Sequence, residues 1–227
     1  MADIYIVSTP IGNLEDITLR AIEVLQSSEV IVCEDTRVTK KILDKYNIIP
    51  QKLFVLNEYN EDTKLSELLN QINFFEKVSL VSDAGTPLVS DPGYKFIREA
   101  IKKGNNVIPV PGASALLAAL VVSSLPTNSF TFLGFLPKSI EKGKRILFEF
   151  MNSKRTVIIY ESPHRIVKTL ELLGEVFGDI YVSVSRELTK KFEENTCLKI
   201  SEHLKIYNSR KPKGEFTLCF NPKAKLN

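Results

Sequence analysis

The sequence predicts an α/β protein of two lobes, and three observations predict it. Short β-branched runs alternate with stretches whose apolar residues recur at helical spacing, the pattern of strands and helices in turn. The pattern breaks at Leu125-Pro126-Thr127-Asn128-Ser129 and then restarts, which sets lobes at 1–125 and 126–227. Strands of the first half run directly into loops rich in Gly, Pro and small polar residues, at the strand carboxyl ends where α/β folds gather ligands.

Each element has its own reason. In the first lobe, 4–8, 30–33, 53–56, 78–82 and 107–110 are β-branched runs too short for helices and read as strands. Between them, 17–25, 36–46, 65–75 and 93–103 carry helical periodicity, the last closed by Gly104 as a C-cap. Residues 113–124 form a helix of small residues with no charge, which must be packed on most sides. Beyond the linker, strands are expected at 130–135, 156–160, 181–185 and 216–220, with helices at 142–151 and 165–177. Phe74, Phe75, Phe148 and Phe150 fall at helical positions and read as core, and Asp91 reads as the cap of the helix that follows it.

Composition removes many chemistries. With 44% hydrophobic and 25% charged residues, 227 residues suffice for a core that needs no staple, burying roughly 70–75% of the unfolded surface. The longest apolar run is eight residues, 115–122, far below the ~20 of a membrane helix. The N-terminus has no basic segment leading an apolar one, so a cytoplasmic protein is expected. Cys33, Cys197 and Cys219 lie far apart, as in a reduced compartment. Without CxxC and with only His164 and His203, no metal site is expected. No two glycines are separated by a single residue, which excludes GxGxxG and with it a Rossmann fingerprint; GK[ST] and GxSxG are also missing.

Charge divides unevenly. Residues 1–113 hold 12 Lys+Arg against 16 Asp+Glu, net −4; residues 114–227 hold 18 against 11, net +7. The basic second lobe is either a set of solvated faces or a surface for a polyanion.

Four loops concentrate the chemistry: Ser8 to Leu14, Cys33 to Arg37, Ser82 to Gly93, and Val110 to Ala115. Glycine permits close backbone approach to a ligand and proline fixes a loop beforehand. One such loop is an ordinary turn; four together, with carboxylates at their mouths, read as a binding cleft.

In chain order, STPIGNLEDIT, EDTR, VSDAGTPLVSDPG, PVPGASA, GFLP, YESPHR, SRELTK and KGEF resemble the ribosomal RNA small-subunit (cytidine-2′-O-)-methyltransferases, members of the tetrapyrrole methylase superfamily. The resemblance runs from about residue 3 to residue 220. It implies two α/β lobes of non-Rossmann type with S-adenosyl-L-methionine (AdoMet) in the cleft between them, a homodimer, and 2′-O-methylation of a cytidine in the decoding region of 16S rRNA. The implied partners are 16S rRNA or the 30S subunit, with neither DNA nor membrane. The small helical C-terminal extension of many family members is not expected here, since the chain stops at Asn227. Methylation of a tetrapyrrole precursor and a non-catalytic RNA-binding assembly factor are the competing readings.

The loops then receive roles. Pro10, Ser82, Asp83, Ala84, Gly85 and Thr86 are expected at the cofactor, and by resemblance Gly112, Ala113, Ser114 and Tyr160 join them. Ser114 reads equally well as a plain helix cap. Glu34, Asp35, Arg37, Glu161 and His164 are the candidates for catalysis, one of them easing departure of the hydroxyl proton. Against that stand an Asp35 that merely caps a helix and pairs with Arg37, and a His164 that only packs. Lys144, Arg145, Arg165, Arg186, Lys190 and Lys213 are expected at RNA, although Arg186 could equally pair with Glu187. Cys33, beside two acids, is not read as a nucleophile.

Overall fold

Residues alternate faces along a strand, and the first lobe uses both. In the computed structural model, which describes residues 1–224, Val30 and Val32 of strand β2 (Val30–Cys33) enter one hydrophobic cluster while Ile31 and Cys33 enter another. A strand buried throughout belongs in a sheet covered on both faces. That sheet has five strands: β1 (Asp3–Val7), β2, β3 (Lys52–Val55), β4 (Lys77–Leu80) and β5 (Asn106–Val110), in the order β3-β2-β4-β1-β5. Every pairing is parallel. One face is covered by α3 (Glu61–Ile72) and α4 (Tyr94–Lys102), through Leu68, Leu69, Ile72, Phe96, Ile97 and Ala100. The other is covered by α1 (Leu19–Ser27) and α2 (Thr36–Lys45), through Ala21, Leu25, Ile42 and Leu43.

Helix starts are set by side chains. Thr18 accepts from the Ala21 N–H at 3.1 Å before α1, and Asp35 accepts from the Arg37 N–H at 2.8 Å before α2. Asp91 does not cap α4. The residue before that helix is Gly93 at φ +111°, and a Cβ there would stand 2.9 Å from Leu88 Cδ2. The N–H groups of Gly93, Lys95 and Phe96 instead donate to Glu61 Oε1 at 3.2, 3.0 and 3.3 Å. A carboxylate at the start of α3 thus supplies the cap that α4 lacks.

The second lobe begins earlier than its composition suggests. The compact units run Met1–Ser114 and from Ala115 onward, not 1–125 and 126–227, and residues 225–227 lie outside the described residues. The boundary moves because α5 (Ala115–Val121) packs Ala119 and Leu120 with Leu125 against Ile158 of β7 (Thr156–Glu161) and Cys219 of β10 (Phe216–Phe220). The sheet adds β6 (Phe130–Phe135), β8 (Tyr181–Arg186) and β9 (Glu194–Lys199), in the order β6-β7-β10-β8-β9. Only β6–β7 is parallel; the other pairs are antiparallel. Helices α6 (Ile140–Phe148), α7 (Ile166–Phe177) and α8 (Ile200–Ser209) complete the lobe. Phe74 and Phe148, expected inside, are 85% and 53% exposed, while Phe75 and Phe150 pack partly against the cores. No helix among the described residues is long and apolar enough to cross a membrane.

Replacing Glu61 with Ala removes the borrowed cap and strands three N–H groups. Glu61→Ala is expected to lower stability by about 1–2 kcal/mol, the size of a lost helix cap. A urea denaturation midpoint unchanged from wild type would refute the borrowed cap.

Candidate functional site

Parallel strands bring the loops after β1, β4 and β5 side by side, and short polar contacts then lock them. Thr9 and Gly85 exchange reciprocal backbone hydrogen bonds of 2.8 and 3.0 Å, a bridge beyond the ends of β1 and β4. The Thr9 hydroxyl donates to the Ser82 carbonyl at 3.2 Å. Ser8 Oγ donates to Thr86 Oγ1 at 3.3 Å, and Thr86 Oγ1 donates to the Ala113 carbonyl at 3.2 Å, drawing in the loop after β5. Gly85 sits at φ +83°, and a Cβ at Gly112 would stand 2.9 Å from Ser8 Cβ, so both positions need glycine. Ser8, Thr9 and Ser82 are buried, as is Pro10; Ala84 and Gly112 face solvent. Ser114 directly precedes α5.

The loop after β2 adds charge. The Asp35 N–H donates to Asp83 Oδ1 at 3.1 Å, tying this loop to the one after β4. Burial, reinforced by the charges of Asp83 and Asp91 and opposed by the Asp83 N–H, pushes Glu34 from an ordinary 4.5 to about 7. Burial likewise pushes Asp91 up to about 6 against a hydrogen bond from Ser82, and raises Asp83. Asp35 goes the other way, to about 2, because the Arg37 side chain and N–H both donate to it. Arg37 Nε lies 3.0 and 3.1 Å from the two Asp35 oxygens while the guanidinium faces solvent. Asp35 and Arg37 therefore form a capped and paired helix start, while Glu34, Asp83 and Asp91 form a cluster of three half-buried acids. Asp91 was not among the site residues read from the sequence, because a carboxylate before Pro-Gly looks like a cap. The trio is no metal centre: among the described residues no group of three His, Cys, Asp or Glu could hold an ion. Burial, followed by the charges of Asp83 and Asp35, raises the Cys33 thiol, although the neighbouring Thr39 opposes this.

In the second lobe the Glu161 carboxylate is buried and fully engaged. It accepts from the Ser162 N–H at 2.7 Å and the Thr169 hydroxyl at 2.6 Å, and Arg165 Nε stands 3.5 Å away. Arg165 donates to the Leu136 and Pro137 carbonyls at 2.9 and 3.2 Å, so the GFLP and YESPHR segments are pinned together. These contacts make Glu161 and Arg165 a brace within the lobe. His164 is exposed beside it. The Tyr160 ring packs edge-on against Phe132 and Phe135, with centroids 4.8 and 5.8 Å away. Lys144 pairs with Glu175 at 2.7 Å, and Lys190 with Glu187 and Glu215 at 3.0 and 2.8 Å. Arg186 pairs with Glu194 rather than Glu187. Arg145 and Lys213 are exposed.

A five-stranded parallel sheet followed by a mixed five-stranded sheet, with knitted polar loops on the first, is a two-unit α/β architecture, and together with the family match over most of the chain it sets the class as a methylase of the non-Rossmann type. The chain matches the family Tetrapyrrole (Corrin/Porphyrin) Methylases over residues 3–202. It also aligns with the crystal structure of uroporphyrin-III C-methyl transferase from Thermus thermophilus complexed with S-adenyl homocysteine, at TM-score 0.67 and 18% identity, covering 97% of this chain and 98% of that one. Ribosomal RNA small subunit methyltransferase I of Rickettsia prowazekii is 46% identical over 218 residues, 96% of this chain and 78% of the relative. The protein of the same name from Thermotoga maritima is 41% identical over 223 residues, 98% of this chain and 100% of the relative. The chain belongs to the ribosomal RNA small subunit methyltransferase I family of tetrapyrrole methylases.

The acid cluster has a pH signature. With a folded pKa near 7 and an unfolded one near 4.5, Glu34 binds more protons when folded, so its contribution to stability falls as pH rises from about 4.5 to 7. Glu34→Gln is expected to raise the urea midpoint at pH 8 and to leave it nearly unchanged at pH 4.5. An equal shift at both pH values would show that Glu34 does not carry the strain.

Proposed function

We propose that this chain uses AdoMet to methylate the ribose 2′-oxygen of a cytidine in 16S rRNA. One observation carries the cofactor assignment: three half-buried acids, Glu34, Asp83 and Asp91, are raised by burial and by neighbouring carboxylates, and among the described residues none of them makes an ion pair. Such a cluster needs a cation, and AdoMet carries two, an ammonium and a sulfonium. The donor set also suits the rest of the molecule, since loop N–H groups can meet its carboxylate while Thr86 Oγ1, whose proton goes to the Ala113 carbonyl, can accept from a ligand hydroxyl. The Thermus thermophilus structure, named for its S-adenyl homocysteine complex, supports the same ligand class. Bound there, AdoMet supplies an electrophilic methyl group on its sulfonium.

The chain's own residues then have three tasks. The Thr9–Gly85 bridge and the Thr86 contacts hold the loops in one geometry, so alignment of nucleophile and methyl is prepared before binding. Asp83, already fixed by the Asp35 N–H, anchors the cationic end of the ligand. Glu34, near pH 7 in its proton affinity, is the acceptor for the proton leaving the 2′-hydroxyl. Ribosomal RNA as substrate rests on the names of the relatives and on the net +7 of residues 114–227 against −4 of residues 1–113. The cytidine and the 2′-oxygen rest on the motif resemblance.

Two measurements test the reading. Calorimetric titration is expected to show micromolar AdoMet binding that is lost in Asp83→Ala; retained affinity would remove Asp83 from the site. A cation that lowers the proton affinity of the acids must bind better as they ionise, so AdoMet affinity should rise between pH 6 and 8 while S-adenosylhomocysteine, lacking the sulfonium, responds less. Incubating 30S subunits with methyl-labelled AdoMet and digesting the rRNA should place the label in 2′-O-methylcytidine. Label on a base, or on a tetrapyrrole precursor and not on RNA, would overturn the assignment.

A further inference from the structure

The segment leaving α8 is Arg210-Lys211-Pro212-Lys213, and with Arg186 and Tyr207 it lines an open depression of about 120 Å³ in the second lobe. At about 30 Å³ per liquid water that is room for some four waters, or for one tetrahedral phosphate group. Its arginines are held in place. Glu194 on the neighbouring strand β9 accepts from Arg186 Nε at 3.0 Å and from Arg210 Nη2 at 2.8 Å on one oxygen, and from Arg210 Nη1 at 3.2 Å on the other. Arg186 Nη1 also donates to the Lys213 carbonyl at 3.2 Å, which ties the loop to the strand. The Arg210 guanidinium lies 5.8 Å from the centre of the Tyr207 ring, itself 5% exposed.

The charge here is uncompensated. Arg186, Arg210, Lys211 and Lys213 face one carboxylate, Glu194, leaving net +3 (four cations less one anion), and among the described residues neither lysine makes an ion pair. The nearby Glu187 and Glu215 share one lysine, Lys190, which adds one net negative charge beside the depression and leaves the surroundings at net +2. Elsewhere in the lobe Lys144 and Arg165 are spent on carboxylates. We propose that this depression seats a phosphodiester of the RNA backbone, a contact that positions the RNA without reading its sequence. It rests on the RNA methyltransferase reading above. Glu194 holds both arginines in place, so the N–H groups they do not give to it, such as those on Arg186 Nη2, lose little freedom on meeting phosphate oxygens, and the exposed lysines complete the charge. A base is a poor occupant, because the one aromatic ring present is buried under Arg210.

The test compares two double variants of the full chain by fluorescence anisotropy with a decoding-region fragment of 16S rRNA, across a salt series. Lys211→Ala/Lys213→Ala alters only exposed side chains of the depression; Lys168→Ala/Lys223→Ala removes the same charge from exposed positions outside it. The first pair is expected to weaken RNA binding about 5–30-fold at 0.1 M salt and to flatten the slope of log K against log salt by about 1–2, at about 0.7–0.9 per phosphate contact. AdoMet affinity and the thermal midpoint should not change, and the second pair should weaken binding less than about 3-fold. Equal losses from both pairs would reduce the depression to part of a general field and overturn the proposal, as would no loss from the first. A further arm uses inorganic phosphate: if it raises the thermal midpoint of wild type only, while both proteins bind RNA alike, the depression takes a free anion and the RNA assignment fails. Should wild type itself neither bind nor methylate RNA, the functional reading fails, whereas normal methylation by an unaffected double variant sinks this inference alone.

Discussion

Two backbone hydrogen bonds between Thr9 and Gly85 are the constraint on which the first lobe's chemistry depends. Strands β1 and β4 are neighbours in the sheet, but their pairing ends at Ile6 and Leu80, and beyond that point nothing in a parallel ladder obliges the loops to stay together. The bridge extends their contact by one reciprocal pair, and Gly85 at φ +83° supplies the turn that makes it possible. Thr86 then carries the order onward to the loop after β5, and Asp83 carries it to the loop after β2. Because backbone groups and hydroxyls do the fastening, two of the acids, Glu34 and Asp91, have no cation paired with them among the described residues, and burial raises both.

That leftover charge is kept at a cost. Three carboxylates crowd into a half-buried space where the Arg37 guanidinium is occupied by Asp35 and turned to solvent. A ligand bringing positive charge relieves both the desolvation and the mutual repulsion, so the cost carried by these loops becomes affinity. The second lobe shows the opposite arrangement, with Glu194 too few for the cations around it. The two lobes thus carry complementary electrostatic problems, one solved by a small cation and the other by a polyanion.

Much of this was legible in the sequence where the signal is local. The strands of the first lobe read as continuous apolar runs because a parallel sheet buries both faces, and the four loops stood out by composition. What failed was non-local. β9 reads Glu-Asn-Thr-Cys-Leu-Lys, an edge strand with little to bury, and α8 hides its buried face in His203 and Tyr207, which do not mark an apolar stripe. The lobe boundary slipped because a Pro-Thr-Asn stretch looks like a linker, while the packing of α5 on β7 and β10 is invisible until both strands are placed. The α4 cap failed for the same reason: Glu61 lies 32 residues from Gly93 in the chain. Within the candidate site, the sequence singled out the loops by their motifs, but only geometry separated Asp35, a cap paired with Arg37, from Glu34, and showed Glu161 braced within its lobe.

The strand order has a consequence for how the protein is made. β1 lies between β4 and β5 and pairs with nothing else among the described residues, so it is translated well before its partners, which begin at Lys77 and Asn106. At about 5–20 residues per second that is a delay of roughly 4–15 s, during which the apolar β1 segment has no ladder to join. The Thr9–Gly85 bridge can close only after that. The loops that define the lobe's chemistry are therefore among the last parts of it to form, although one of them is among the first to be translated.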